Sequence, residues 1–151
     1  MVIGVFRRFQ HLGVVATLIG FGVPLCAADL SPVGLWQTTD DRTGKPKGIV
    51  QIYQKNGVYF GRVESSIDPT LAKEVCTLCR DDRRNKPVVG MVVMRNMRKN
   101  GGEYDGGDIL DPDNGTVYRC RFWLEDQGKK LLVRGFIGFA IFGRSQTWVR
   151  Q

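Results

Sequence analysis

Apolar and polar residues alternate in short segments, separated by turn residues, from residue 34 to the end of the chain. The segments predict eight β-strands, at Gly34–Thr38, Ile49–Gln54, Val58–Glu64, Val88–Met94, Glu103–Leu110, Thr116–Leu124, Leu131–Ile137 and Ser145–Arg150. No long helical pattern separates them. Because successive strands are mostly joined by short turns, we expect an all-β fold, a single antiparallel up-and-down β-barrel. Closure into a barrel removes exposed strand edges.

The strongest turn signal is Asn56-Gly57 between the second and third predicted strands. Asn-Gly between apolar runs is typical of a tight β-hairpin. Pairing across this turn places one apolar set on a single face, namely Val50, Ile52, Tyr59, Gly61 and Val63. The opposite face carries Gln51, Arg62 and Glu64. The apolar face is therefore predicted to point into the barrel.

A long irregular stretch, Ser65–Pro87, follows this hairpin. Asp68-Pro69 favours one short helical turn because Asp caps helix starts and Pro fits the first helical position. The mixed charge run from Arg80 to Lys86 is expected to be a solvated loop.

The Cys76-x-x-Cys79 spacing admits three interpretations. A redox pair needs a helix start in a βαβ setting, which the surrounding sequence lacks. A zinc site needs four ligands, and too few Cys and His residues are present. A structural disulfide that holds the long loop is favoured. Cys120 is an alternative partner, but it lies on a core-facing stripe, so we expect a Cys76–Cys79 bond and a free Cys120.

Four carboxylates, Asp105, Asp108, Asp111 and Asp113, suggest a calcium site because Ca²⁺ prefers clustered oxygen ligands. Their spacing does not match an EF-hand loop, and Asp111-Pro112-x-x-Gly115 is more simply a hairpin turn. We therefore predict neither a metal site nor a cofactor.

The first 28 residues have the anatomy of a secretory signal. Arg7 and Arg8 precede an uncharged run from Leu12 to Val23, and Cys26-Ala27-Ala28 offers small residues for cleavage. Cleavage after Ala28 predicts a periplasmic or secreted protein that consists of one domain, residues 29–151. Lipid attachment at Cys26 is disfavoured because a bulky leucine precedes it. The only histidine, His11, would be lost, which excludes a Ser-His-Asp triad.

The chain carries a formal net charge of +7. A modest positive excess on an exported protein is most simply a solvated, soluble surface. The alternative is peripheral contact with anionic lipids of the cell envelope. Nucleic acid is not an expected partner, since no recognition helix or RNA-binding aromatic motif is present. The sequence does not specify an oligomeric state.

Several short motifs follow one another along the predicted domain: Gly34-Leu35-Trp36, Tyr59-Phe60-Gly61-Arg62-Val63, Cys76-Thr77-Leu78-Cys79, Val88-Val89-Gly90, Gly107-Asp108-Ile109-Leu110-Asp111-Pro112, Asn114-Gly115, Tyr118, Arg134-Gly135-Phe136 and Gly143-Arg144-Ser145-Gln146-Thr147-Trp148-Val149-Arg150. Together they resemble an exported bacterial family, domain of unknown function 2147. The resemblance implies a lipocalin-like barrel and brings no established activity. Lipocalins pack an arginine of the last strand over a tryptophan of the first, and Trp36 and Arg150 match those positions.

The lipocalin-like shape suggests that the protein binds a small hydrophobic or amphipathic molecule, such as a fatty acid or lipid fragment. Candidate ligand-binding residues are Val50, Ile52, Tyr59, Tyr118 and Phe122, with Arg134 as an anion contact. The alternative is a filled barrel that acts through its surface as an interaction module in the cell envelope. An enzyme that uses Cys76 and Cys79 is the least favoured hypothesis.

Overall fold

Eight antiparallel strands close into a barrel in a computed structural model that describes residues 30–40, 43–69, 71–139 and 143–151. The strands are β1 Gly34–Thr39, β2 Pro46–Lys55, β3 Val58–Ser66, β4 Val92–Asn100, β5 Glu103–Asp111, β6 Thr116–Glu125, β7 Lys130–Phe136 and β8 Gly143–Arg150. Each strand pairs with the next, and β8 pairs with β1. The predicted all-β barrel is confirmed. The predicted signal segment lies outside the described residues.

The β2–β3 hairpin forms as its sequence predicts. Asn56 and Gly57 have φ angles of 52° and 77°, and positive φ at both central residues is the geometry that matches the twist of paired strands. Val50, Ile52 and Tyr59 are all less than a tenth exposed. Their common face is the inner wall of the barrel.

The predicted fourth strand, Val88–Met94, is misplaced, because β4 spans Val92–Asn100. The chain turns before it extends: Gly90 has a φ of 87°, and the Met91 N–H donates to the Val88 carbonyl. A positive φ interrupts an extended strand. The apolar run from Val88 therefore belongs to the preceding loop.

A β-bulge explains why the sequence pattern hid the second half of β4. Asn96 has a φ of 61°, and the register with β3 shifts between Gly61↔Met94 and Tyr59↔Met97. The extra residue brings Met94 and Met97, three positions apart, to full burial. A bulge breaks the period-two alternation on which strand prediction depends.

One end of the barrel, called the closed end, is where β1 begins and β8 ends. The Arg150 guanidinium lies 4.2 Å from the centre of the Trp36 ring. It also donates hydrogen bonds to the carbonyls of Ser31, Val33 and Gly128. The fully buried Trp36 indole N–H donates to the Pro32 carbonyl at 2.8 Å. These contacts join the first and last strands and the chain before β1.

Aromatic rings fill the interior beside the closed end. Tyr104 stacks on Phe122 with ring centres 4.7 Å apart, and Tyr59 meets Tyr104 edge-on at 4.9 Å. Ile52 and Leu131, both fully buried, pack in the same cluster. This half of the barrel is a packed core.

The pairing between β1 and β8, called the seam, is confined to the closed end. Within the described residues it consists of Trp36↔Arg150 and Gln37↔Val149. Thr38 and Thr39 continue β1 and pair with β2, whereas β8 continues by pairing with β7 along its full length. Toward the opposite end, these two strands have no ladder between them.

Replacing Arg150 with Met is expected to lower the free energy of unfolding by about 2–3 kcal/mol, because it removes the cation–π contact and leaves three carbonyls without their donor. Urea unfolding at neutral pH measures this loss. The matched control is Arg62→Met, which removes an exposed pair with Glu64 and should change stability by less than about 1 kcal/mol. Equal effects of the two substitutions would contradict the role given to Arg150.

Candidate functional site

A cavity of about 170 Å³ lies at the opposite end of the barrel, called the open end. Every strand contributes to it through its residues nearest that end. Its wall is mostly apolar below the mouth and includes Val50, Val63, Ile109, Tyr118, Val133 and Trp148. The barrel is thus packed at one end and hollow at the other.

The Trp148 indole is the polar feature of the apolar wall. Its Nε1–H donates to the Gln146 Oε1 at 2.9 Å, and both residues line the cavity. Trp148 itself is 2% exposed. Because its donor is satisfied within the protein, a ligand needs no acceptor at this position.

Two ion pairs cross the mouth of the cavity, and both end on the turn between β5 and β6. Lys47 of β2 pairs with Asp113, and the Arg144 guanidinium of β8 contacts Asp111 at 3.2 Å. Neither β2 nor β8 neighbours β5 in the barrel. The Arg144 guanidinium also lies 5.8 Å from the centre of the Tyr118 ring. These partly exposed pairs bridge the mouth and are weakened by solvent.

The structure separates the residues that the sequence grouped as ligand contacts. Val50 and Tyr118 line the cavity. Ile52, Tyr59 and Phe122 lie in the packed core near the closed end. Arg134 does not line the cavity: it lies between the lining residues Val133 and Gly135 and donates to the Ser145 Oγ on the outer wall. The alternation of apolar and polar residues shows which side chains face the interior, but it does not show how far along the barrel axis each one lies.

The connection between β3 and β4, called the β3–β4 loop, forms one lip of the cavity. Glu74, Val88 and Val89 from this loop line the cavity, and its helical turn is a single 3₁₀ turn at Leu71–Lys73. The Val63 N–H donates to the Met91 carbonyl, and the Gly90 N–H donates to the Val63 carbonyl. The loop is therefore held against the barrel wall.

A disulfide joins Cys76 to Cys79 within this loop. Both cysteines are 1% exposed and pack in a second apolar cluster with Met91, Val93 and Leu110. The Cys76 Sγ lies 3.6 Å from the Pro112 carbonyl oxygen. A Cβ on Gly115 would come within 2.0 Å of the Leu78 carbonyl oxygen. The disulfide segment thus packs directly on the β5–β6 turn, and any side chain larger than glycine there would push the two apart.

Arg83 anchors the β3–β4 loop and is the exception in the charge run from Arg80 to Lys86, whose other residues are exposed as expected. Its side chain is 3% exposed and donates to the Asp81 carboxylate and to the carbonyls of Val92 and Val93. Arg95 of β4 forms a two-pronged pair with Asp82 at 2.8 and 3.0 Å. These two pairs, one from within the run and one from β4, dock the loop on the barrel.

The hydrogen bond from Arg83 lowers the pKa of Asp81 to about 2. The hydrogen bond from Arg95 likewise lowers the pKa of Asp82. Burial raises the pKa of Asp108, whose Oδ1 is buried without a hydrogen-bond partner. Burial also raises the pKa of the free Cys120 thiol, which therefore stays protonated and unreactive.

Three of the four aspartates considered for calcium are engaged elsewhere, and the fourth, Asp108, has one buried carboxylate oxygen without a hydrogen-bond partner. Asp105 accepts from the Asn100 amide at 2.9 Å, while Asp111 and Asp113 hold the mouth pairs. Among the described residues, no three His, Cys, Asp or Glu side chains are grouped so as to hold a metal ion. Within the same residues, no helix has the length and hydropathy to cross a membrane.

A closed eight-stranded barrel, packed at one end and open to a small cavity at the other, is a lipocalin-like architecture. HP1028 from the human pathogen Helicobacter pylori, a protein described as belonging to the lipocalin family, has a similar structure, with a TM-score of 0.71 and 22% sequence identity over 81% of this chain and 84% of that one. The chain belongs to the family DUF2147, described as an uncharacterized protein conserved in bacteria, whose model matches residues 34–150. No curated protein matches the chain.

The acid stability of the β3–β4 loop should depend on Asp81. Its folded-state pKa of about 2 lies below the usual unfolded value of about 3.9, so its contribution is present above pH 4 and is lost as the pH falls toward 2. Asp81→Asn is expected to reduce the free energy of unfolding by about 1 kcal/mol at pH 7, after discounting for its partial exposure. Urea unfolding across this pH range should show the difference from the wild type shrinking toward zero.

Asp126→Asn is the control for this measurement, because Asp126 forms a half-exposed pair with Lys130. It should change stability by less than about 1 kcal/mol at any pH. A difference between Asp81→Asn and the wild type that stays constant with pH would show that the Asp81 charge contributes nothing.

Proposed function

We propose that this protein works outside the cytoplasm and binds a small amphipathic molecule whose apolar part enters the cavity at the open end. The observation that carries the proposal is an apolar cavity with a polar mouth at one end of an otherwise packed barrel. Small-molecule sites are concave and mostly apolar, with a few placed polar groups.

The size of the cavity limits the ligand. A volume of 170 Å³ is close to the roughly 150 Å³ of an apolar protein cavity that admits one benzene ring. The enclosed part of the ligand is therefore a single ring or a short acyl segment. A longer chain would have to extend through the mouth. A lipid fragment or a short-chain acid fits this space better than a complete long-chain fatty acid.

The mouth favours an anionic head group. Lys47 and Arg144 are held there by Asp113 and Asp111 in partly exposed pairs. A carboxylate or phosphate on the ligand would have to displace these aspartates from the two cations, and the partial exposure of the pairs lowers the cost of that exchange. Arg144 also contacts Tyr118, which lines the cavity. It therefore links the polar mouth to the apolar wall.

The export part of the proposal is supported by the disulfide and by the signal-like N-terminal sequence. Disulfides persist in oxidising compartments such as the periplasm. Redox catalysis by this pair is not favoured, because Cys76 and Cys79 are each 1% exposed and thiol exchange requires access to a sulfur atom. The disulfide instead stabilises the lip of the cavity.

Filling the cavity should abolish binding while the fold is kept. Val63→Phe and Ile109→Phe each place a ring in the space that the ligand would occupy, and Val149→Phe adds the same ring to the outer wall, where Val149 is 42% exposed. The wild type and Val149→Phe are expected to show a raised melting temperature with short- and medium-chain carboxylates. Native mass spectrometry of protein from its own cells should show a retained small molecule. No shift and no retained mass for the wild type would contradict the proposal and favour a surface interaction module.

The head-group preference is tested separately with Lys47→Gln and Arg144→Gln. The double variant should weaken binding of a carboxylate by roughly tenfold or more, the loss expected for one or two charge-assisted contacts. It should leave the affinity for the corresponding alcohol within about a factor of three. The control is Arg62→Gln, on the outer wall. Equal losses for acid and alcohol would show that the two cations shape the mouth and do not recognise charge. Isothermal titration calorimetry measures the affinities of the wild type, the double variant and the control for the carboxylate and for the alcohol.

A further inference from the structure

The most exposed large apolar side chains of the described residues lie in the loop between β7 and β8. Phe139 is 78% exposed and Ile137 is 61% exposed. This loop, called the β7–β8 loop, stands at the open end, because it joins the ends of β7 and β8 that contribute Val133, Gly135 and Arg144 to the cavity. Scattered exposed apolar residues need no explanation, but two such large ones in a single protruding loop do.

The loop sequence differs from the other connections at the same end. In the sequence, Ile137 through Phe142 include no charged or hydrogen-bonding side chain. The segment from Asp40 to Lys45 and the turn from Asp111 to Gly115 are both rich in charged and polar residues. Because loops exposed to water are normally polar, this composition indicates that the β7–β8 loop contacts an apolar environment.

We propose that the β7–β8 loop inserts Ile137 and Phe139 into the surface of a lipid bilayer and docks the open end of the barrel on it. The inference does not depend on the proposed ligand, since a barrel with an empty or a filled cavity would present the same loop.

The area of the loop favours lipid over a protein partner. A buried aromatic side chain covers about 150–250 Å², so two large side chains supply far less than the roughly 800 Å² that each partner of a stable protein interface buries. A membrane needs no complementary partner surface. The free energy of transfer of the loop into the bilayer scales with the apolar area that it buries there. A short apolar loop is therefore sufficient for reversible docking on lipid.

The cations near the loop are complementary to lipid phosphates. Arg144 follows the loop in β8 and remains 57% exposed in its pair with Asp111. Exposed Lys45 lies in the neighbouring connection, since β1 and β8 are adjacent in the barrel. Positive side chains beside an inserting apolar loop add attraction to anionic head groups. Anionic envelope lipids are also the partner that the positive net charge suggests. The β7–β8 loop and these cations are the surface that would contact them.

A fluorescent probe placed in the loop tests the inference directly. In the full chain, with Cys26 replaced by Ser, an environment-sensitive dye is attached at Phe139→Cys, and the matched control carries the dye at Leu35→Cys. Leu35 is 42% exposed at the closed end, and the native free Cys120 is buried, so it should not be labelled. Vesicles of phosphatidylcholine and phosphatidylglycerol are then added. The dye at position 139 should shift to shorter wavelength and be quenched by lipids that carry a spin label high on the acyl chain, whereas the dye at position 35 should not change.

A second substitution adds a quantitative criterion. Ile137→Asp, combined with the dye at position 139, should lower vesicle partitioning by at least about tenfold, because a charge beside the probe must be desolvated on insertion. The inference is overturned if the chain does not bind vesicles or if the two dye positions respond alike. It is also overturned if the 139 dye remains in water while the protein sediments with vesicles. A shift that appears without vesicles and increases with protein concentration would assign the loop to contact between two copies instead.

Discussion

The contact between Arg150 and Trp36 is the constraint on which the rest of the barrel depends. It joins the last strand to the first at the closed end, where the two strands pair, and the same guanidinium holds the chain before β1 through backbone carbonyls. A barrel of eight strands has no free edges only if this join is kept. The aromatic core around Tyr104 and Phe122 packs on top of it.

Because side chains fill one half of this small barrel, only the other half has space for a ligand-sized cavity. Eight strands enclose an interior that side chains fill or that holds one small ligand, and this chain does both, in different halves. The mouth is completed by elements outside the barrel wall, the β3–β4 loop with its disulfide and the β5–β6 turn against which it packs. Arg83 and Arg95 hold that loop, so the lip of the cavity is rigid where ligand contact is proposed.

The sequence predicted the barrel because its strands carry local signals that tertiary structure did not override. Asn56-Gly57 determined the register of one hairpin, and the register determined which residues face inward. The bulge at Asn96 and the turn at Gly90 were missed, because both break the alternation that identifies a strand. The sequence also could not show that Ile52, Tyr59 and Phe122 lie near the closed end, because inward-facing residues alternate in the same way in both halves of the barrel. The mouth pairs join strands that are distant in sequence, so no spacing rule could have found them.

The short seam between β1 and β8 has a consequence for where the cavity wall can open. Thr38 and Thr39 on one side, and Arg144 and Gln146 on the other, line the cavity above the last residue pair of the seam. Parting the wall along this line breaks no hydrogen bonds of a strand ladder, whereas parting it elsewhere breaks several. Opening of the wall therefore costs the fewest ladder hydrogen bonds at this boundary. If a ligand binds as proposed, a chain too long for the cavity would leave it at the lowest cost along this boundary between β1 and β8.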